Sequence, residues 1–153
     1  MAHLRFFAGD PRVYSDTQSS VNLVLPAVSG GLGWPLGWPV GWGTAVGGTT
    51  AITNTGNFPT RPVVVFNGPL TGPGIENQTT GQFLDTTFNL LAGSTLVVDF
   101  DARTIDENGF SSRYSYLTSD SDWWDLVPGV NNIRISASAG TGSADVYYRS
   151  AWI

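Results

Sequence analysis

Acidic side chains are the main supply of reactive groups in this sequence. Asp99 and Asp101 are two residues apart in an apolar segment, so on a strand they would point to the same face. Two carboxylates on one face are the arrangement from which glycoside hydrolysis is built. The other acids considered lie near turn signals and are Asp106, Glu107, Asp120, Asp122 and Asp125.

Nothing in the sequence selects a catalytic pair or a metal site from these acids. A calcium-binding loop of the EF-hand type needs a central glycine and a distal glutamate, and the segment 119–125 has neither. We interpret the acids as solvated turn residues, with a calcium site and a glycosidase pair as weaker alternatives. The sequence therefore predicts no metal and no cofactor.

Other nucleophiles and bases are scarce. The chain has one histidine, His3, no cysteine and no lysine. A serine or threonine nucleophile needs an adjacent base, and His3 lies near the start of the chain, in a segment with no other catalytic signal. We expect no catalytic residues and no enzyme activity. Such a composition is typical of a protein that presents surfaces.

Length and charge limit the partners. A chain of 153 residues suits one domain with an appendage. Its net charge of −5 and its scattered arginines argue against nucleic-acid binding, which needs a basic face. No apolar run approaches the roughly 18 residues of a membrane-spanning helix, so no membrane partner is predicted.

Short β-type segments separated by turn signals fill the second half of the chain. Gln82–Leu90 alternates with a period of two, and Asn108-Gly109 is the dipeptide that most strongly indicates a hairpin. We also expect a strand at Trp123–Val127 and a last hairpin of Asn132–Ser138 with Ala144–Arg149. This pattern predicts an all-β fold, an antiparallel β-sandwich of the jelly-roll type, over residues 49–153.

The N-terminal part differs in composition. Trp34, Trp38 and Trp42 recur every four residues between prolines and glycines, which exclude a helix. We therefore predict that residues 1–48 contain one or more strands and an extended Gly/Trp/Pro-rich arm or linker. The three tryptophans are candidate interface residues, because exposed tryptophan is typical of interaction surfaces.

Two further tryptophans are candidate interface residues. Trp123 and Trp124 are adjacent, so on a strand they would face opposite sides, and only one of them can enter the core. We take Trp124 as the exposed member of the pair. Trp152 is the second candidate, because it lies one residue from the C-terminal end, where chains fray unless they are docked.

An ordered set of short motifs over Asn54–Ile153 resembles the C-terminal domain of the siphovirus-type phage tail proteins, the distal tail protein family. The matching pieces are Asn54-Thr55-Gly56-Asn57, Arg61-Pro62-Val63, Gly68-Pro69-Leu70-Thr71, Ile75-Glu76-Asn77, Thr80-Gly81, the strand from Ala92-Gly93 to Asp99, Asn108-Gly109, Asp122-Trp123-Trp124, Pro128-Gly129-Val130-Asn131 and Arg149-Ser150-Ala151-Trp152. Each piece alone is common, and their order carries the resemblance.

The resemblance implies a galectin-like β-sandwich that serves as a non-catalytic structural component of the phage tail tip. It implies other tail proteins, and copies of the chain itself, as partners, and a location at the tail tip of the virion. Members of the family usually also have an N-terminal domain that forms a ring, for which this chain has no room.

A carbohydrate-binding module is the alternative function, because tail tips meet the glycans of the host cell wall. A sugar site needs an exposed aromatic ring with polar groups beside it. Trp124 with Asp122 and Arg113 is the candidate set for such a glycan contact.

Overall fold

Alternating apolar and polar side chains form short strands throughout the described part of the chain. The computed structural model describes residues 10–29, 44–46 and 48–153. Its strands are β1 (Val13–Tyr14), β2 (Ser19–Val24), β3 (Ala27–Ser29), β4 (Thr44–Val46), β5 (Thr49–Asn54), β6 (Val63–Asn67), β7 (Leu70–Thr71), β8 (Gly74–Asn77), β9 (Gln82–Asp85), β10 (Asn89–Leu90), β11 (Thr95–Asp99), β12 (Thr104–Glu107), β13 (Ser111–Ser112), β14 (Gly129–Ser136), β15 (Ala139–Gly140), β16 (Ser143–Tyr148) and β17 (Ala151–Trp152). A 3-10 helix, Tyr114–Tyr116, follows β13. Within these ranges, no helix has the length and apolarity needed to cross a membrane.

Two large antiparallel sheets form the body of the fold. The six-stranded sheet has the order β13-β12-β11-β6-β16-β2, and the four-stranded sheet has the order β5-β14-β8-β9. Smaller sheets join β10-β7-β15, β1-β17 and β3-β4. This architecture confirms the predicted all-β, antiparallel sandwich.

One hydrophobic core takes side chains from both large sheets. The six-stranded sheet contributes Leu23, Val64, Phe66, Leu96, Val98, Ile105, Ala144 and Val146, and the four-stranded sheet contributes Ile52, Ile75, Leu84, Ile133 and Ile135. Each of these side chains is at most 1% exposed. Burial of one such aliphatic or aromatic side chain contributes about 1.5–3 kcal/mol, so the shared core is the main source of stability.

The predicted long strand Gln82–Leu90 is divided between two sheets. Its first part, β9, pairs with β8 of the four-stranded sheet, whereas β10 pairs with β7. Between them Thr86 forms a bridge with Leu117. The predicted alternation is confirmed, because Leu84, Thr86 and Leu90 are all buried, but the prediction of one continuous strand is wrong. The alternation of apolar and polar residues indicates which face of a strand is buried. It does not indicate which strand is the partner.

The predicted last hairpin is also wrong. β14 pairs with β5 and β8, and β16 pairs with β2 and β6 in the opposite sheet. The segment between them contains β15, which pairs with β7 and carries the chain from one sheet to the other. Both strands need a buried face, and each finds it by facing the other sheet across the core.

The predicted hairpin at Asn108-Gly109 is confirmed. β12 pairs with β13, and the turn between them has φ of 53° at Asn108 and 78° at Gly109. Positive φ at both central residues matches the twist of a two-stranded ribbon, and asparagine and glycine tolerate it best. The hairpin leads directly into the 3-10 helix.

The N-terminal residues contribute strands to the sandwich. β2 pairs with β16 at the edge of the six-stranded sheet, and β1 pairs with β17. The proposed division into residues 1–48 and 49–153 stays a prediction, although β2 lies within the larger sheet. Trp34, Trp38 and Trp42 lie outside the described residues.

A buried amide closes the turn that begins β14. The side chain of Asn131 is fully buried and accepts hydrogen bonds through Oδ1 from the Val127 backbone N–H at 3.0 Å and from Asn77 Nδ2 at 3.1 Å. Its Nδ2 donates to the backbone oxygens of Val127 at 2.8 Å and Gly129 at 3.1 Å. One side chain therefore provides hydrogen-bond partners for the backbone of the turn and links β14 to the end of β8.

Replacement of this amide should be costly. We expect Asn131→Ala to lower the free energy of unfolding by about 2–4 kcal/mol, because it leaves several buried polar groups without partners. Urea denaturation followed by tryptophan fluorescence measures the change.

The neighbouring residue supplies a matched control. Asn132 is exposed on the same strand, so Asn132→Ala should change the free energy of unfolding by no more than about 0.5 kcal/mol. Equal losses in the two variants would contradict the role assigned to the Asn131 side chain.

Candidate interaction surfaces

Trp124 is part of the core and not part of the surface. Its side chain is 1% exposed, and its ring lies 4.5 Å from that of Phe100 between ring centroids. The expectation that Trp124 contacts a partner or a glycan is therefore wrong. Its neighbour Trp123 is half-buried, so only one of the two tryptophans enters the core fully, although both rings contact Phe100.

The residues that follow explain which tryptophan is buried. The segment around Trp124 forms no regular strand, contrary to prediction, and is held by two backbone hydrogen bonds between Thr60 and Leu126, at 2.7 and 3.0 Å. Leu126 shares the buried face with Trp124, whereas Asp125 shares the outer face with Trp123. This apolar and polar alternation was the signal in the sequence that distinguishes the two tryptophans.

The other two members of the candidate glycan set do not form a site with Trp124. The guanidinium of Arg113 donates to Glu107 Oε2 from Nη2 at 2.7 Å and from Nε at 3.0 Å. Asp122 is exposed, and its backbone N–H donates to the Phe83 oxygen at 2.7 Å. A buried tryptophan and an arginine already paired with a glutamate leave this set without a platform for a sugar ring.

Trp152 lies at the edge of the fold. It is 36% exposed and belongs to β17, where it pairs with Val13 of β1. The C-terminal strand is therefore docked. The assignment of Trp152 as an interface residue stays a prediction, as it does for Trp34, Trp38 and Trp42.

Four aromatic rings and one arginine form a surface that we call the aromatic patch: Phe88, Arg113, Tyr114, Tyr116 and Trp123. Tyr114 stacks on Trp123, with 6.3 Å between centroids and 12° between ring planes. Tyr116 meets Phe88 edge-on at 5.0 Å, and the guanidinium of Arg113 lies 5.3 Å from the Phe88 centroid. Tyr114 is 50% exposed and Tyr116 is 41% exposed.

The aromatic patch has a rigid support. Trp123 contacts Phe100 of the core, with 5.4 Å between centroids, and the 3-10 helix carries both tyrosines. The patch was missed from the sequence because its rings come from three separate segments. It is the kind of surface found at protein interfaces, where tyrosine, tryptophan and arginine are enriched.

A second surface, which we call the tyrosine groove, lies where the segment 10–18 crosses the ends of β6 and β16. Its volume is about 250 Å³. The Ser15 backbone N–H donates to the Ser150 oxygen at 2.9 Å, and Arg149 Nη1 donates to the Ser15 oxygen at 3.2 Å, so the crossing segment is held in place. The groove is lined by Asp10, Tyr14, Gln18, Thr60, Arg61, Val63, Asp101, Tyr147, Tyr148 and Arg149.

Charged groups of the tyrosine groove are paired with one another. The Tyr14 hydroxyl donates to Asp10 Oδ2 at 2.7 Å, and this bond, with that from the Arg12 N–H, lowers the pKa of Asp10. Arg61 Nη1 donates to Asp101 Oδ1 at 2.6 Å, which raises the pKa of Arg61, and Arg61 Nε lies 3.4 Å from Asp125 Oδ1. Asp10, Arg12 and Tyr14 are close in sequence, whereas the partners of Arg61 are far from it, so no local pattern in the sequence reveals the Arg61 ion pairs.

A second cavity, of about 480 Å³, is lined mostly by residues with hydroxyl groups and by Asp85. Burial raises the pKa of Asp85, the charges of Asp120 and Glu76 raise it further, and a hydrogen bond from Ser136 opposes the shift. The described residues hold no cluster of three or more His, Cys, Asp or Glu side chains that could bind a metal ion. The cavity therefore contains a single perturbed carboxyl without a nucleophile–base partner.

These features define the class of the protein as an all-β sandwich that presents aromatic and ion-paired surfaces. The family described as siphovirus-type tail component, C-terminal domain, matches residues 55–152 of the chain. The chain belongs to this family and is a component of the virion tail, as the sequence motifs predict. No curated protein matches the chain.

A solved structure shares the fold. The chain is similar to the protein whose structure is titled "Crystal Structure of SPP1 Dit (gp 19.1) Protein, a Paradigm of Hub Adsorption Apparatus in Gram-positive Infecting Phages", with a TM-score of 0.67 and 14% sequence identity. The similarity covers 95% of this chain and 50% of that chain, so this chain spans about half the length of its structural relative.

The shifted carboxyl predicts a dependence of stability on pH. A raised pKa means that the folded state holds the Asp85 proton more tightly than the unfolded state, whose pKa is about 3.9. The contribution of Asp85 to stability is therefore most favourable below the unfolded pKa and is lost as pH rises through the folded pKa. We expect Asp85→Asn to raise the free energy of unfolding at pH 7, by no more than about 1 kcal/mol because the residue is only partly buried.

Denaturation of the wild type and of Asp85→Asn at pH 3 and pH 7 measures this effect. The gain should be present at pH 7 and absent at pH 3. Asp16→Asn, an exposed site near β1, is the control and should have little effect at either pH. A lower stability of Asp85→Asn at pH 7 would contradict the assigned pKa shift.

Proposed function

We propose that this chain is a non-catalytic structural module of the phage tail tip, which contacts other tail proteins and copies of itself. The single observation that carries the proposal is the family match over residues 55–152, which extends from the start of the Asn54 turn to β17. The structural relative supports a position at the tail tip, because its title describes SPP1 Dit as a hub of an adsorption apparatus.

The pairing of the acidic groups supports a non-catalytic role. A general acid or base must be free to exchange a proton with a substrate. Asp101 and Asp125 instead flank Arg61, and Glu107 holds Arg113. These carboxylates serve as partners of arginines that fix loops and strand ends.

The aromatic patch is the proposed contact with a neighbouring tail protein. Residues that dominate binding energy at interfaces are mostly tryptophan, tyrosine and arginine held in a fixed geometry. Tyr114 meets this description, because half of its side chain is exposed and its ring rests on Trp123. We also propose further contacts, which the sequence predicts, at Trp34, Trp38, Trp42 and Trp152.

The carbohydrate-binding alternative has no support at Trp124, because that side chain lies in the core. The tyrosine groove is a different place with a different chemistry. Assembly through the aromatic patch does not depend on it.

Truncation of Tyr114 tests the assembly role. We expect Tyr114→Ala to weaken binding to the purified neighbouring tail proteins by about tenfold or more, since loss of an interface anchor costs at least about 1.4 kcal/mol. Biolayer interferometry with the full chain measures the affinity, and complementation of a phage that lacks the gene measures tail assembly.

Val130→Ala is the matched control, because Val130 is 56% exposed on β14 of the four-stranded sheet. The binding affinity and tail assembly of Val130→Ala should equal those of the wild type. Val130→Ala and Tyr114→Ala should both have melting temperatures close to that of the wild type. Normal binding and normal tails in Tyr114→Ala would refute the role of the aromatic patch.

A further inference from the structure

The tyrosine groove combines opposite charges in equal number. Its lining includes the carboxylates of Asp10 and Asp101 and the guanidinium groups of Arg61 and Arg149. The sum of these charges is zero, and it stays zero when the adjacent Asp125 and Arg12, which pair with Arg61 and Asp10, are included. A site of this kind has no net attraction for an anion or a cation, so it favours a neutral ligand.

The same groups leave hydrogen-bonding capacity for a ligand. Arginine carries five N–H donors, and Arg61 directs Nη1 at Asp101 and Nε at Asp125, so about three donors remain. The carboxylate of Asp101 uses Oδ1 for Arg61, and its side chain is 64% exposed. Fixed donors therefore lie beside a fixed acceptor, the combination that adjacent hydroxyl groups of a ligand can satisfy together.

Tyr147 adds an aromatic surface to these polar groups. β16 lies between β6 and β2, and Tyr147 pairs with Val63 on one side and Ser20 on the other. Its neighbour Val146 points into the core, so Tyr147 projects from the outer face of the six-stranded sheet. An amphipathic ring on a strand in the interior of a sheet is held rigidly and can stack against an apolar face.

The size of the groove suits one ring of a ligand. Its volume of about 250 Å³ is just below the usual range of about 300–1,000 Å³ for small-molecule pockets. The groove is open to solvent, so it can seat one six-membered sugar ring while the rest of a longer saccharide extends outside it.

We propose that the tyrosine groove binds one ring of a neutral saccharide, with Tyr147 as the stacking surface and Arg61 and Asp101 as the groups that recognise its hydroxyls. This activity goes beyond assembly of the tail. It would give the sandwich a second surface, directed at a glycan and separate from the aromatic patch.

A glycan array that carries neutral and acidic glycans, including bacterial wall saccharides, tests the proposal with the full chain. Isothermal titration with the best neutral glycan then compares wild type, Tyr147→Ala, Tyr147→Phe and Tyr114→Ala. We expect the wild type to bind neutral glycans only. Tyr147→Ala should weaken binding about two- to tenfold, as expected for loss of one aromatic stacking contact, and Tyr147→Phe should retain most of it because the ring remains.

Tyr114→Ala should bind the glycan as the wild type does, because Tyr114 belongs to the aromatic patch. If Tyr147→Ala fails to fold, Asp101→Ala replaces it and should also weaken binding, because Asp101 is exposed and is one of the two groups that recognise the hydroxyls. Binding to no glycan, binding to acidic glycans alone, or equal binding by the wild type and the groove variants would overturn the proposal. None of these results would affect the assembly role, which Tyr114→Ala tests against tail proteins.

Discussion

Burial of one face of each large sheet against the other is the interaction on which the rest of the structure depends. Every strand of the two sheets except the short edge strand β13 places at least one side chain in the shared core. The need to bury one face of each strand determines which strands pair as well as how the sheets pack. β14 and β16, for example, are close in sequence yet lie in opposite sheets. Polar groups near the strand ends then need hydrogen-bond partners inside the protein. The side chain of Asn131 makes four such hydrogen bonds.

A core of this kind decides where function can reside. Outward positions next to buried strands are rigid, so side chains there keep a defined geometry without help from a ligand. The aromatic patch illustrates this, because Trp123 connects the exposed Tyr114 to Phe100 of the core. In the tyrosine groove the ion pairs of Arg61 have the same effect, since they hold a flexible side chain between Asp101 and Asp125. A protein that must join others in a virion gains from surfaces that are ordered before contact.

Much of the fold could be predicted from the sequence, because the signals that specify it are local. The Asn108-Gly109 hairpin and the buried face of Leu84 and Leu90 follow from turn chemistry and from a period of two. Strand partners could not be predicted, because alternation contains no information about which sheet a strand joins. The family resemblance correctly predicted that the protein is a tail component, because the resemblance rests on the order of many motifs along the chain.

The candidate sites were less accessible to prediction. The prediction that Trp124 is exposed overlooks the residues that follow it. Leu126 shares the buried face with Trp124, and Asp125 shares the outer face with Trp123. Arg61 meets Asp101 and Asp125 only after folding, from 40 and 64 residues away, so no spacing in the sequence reveals the groove. A role at the tail tip is tested most directly by immunogold electron microscopy of virions with antibodies raised against this chain. We expect gold at the distal end of the tail, and gold on the capsid or along the tail tube would contradict this role.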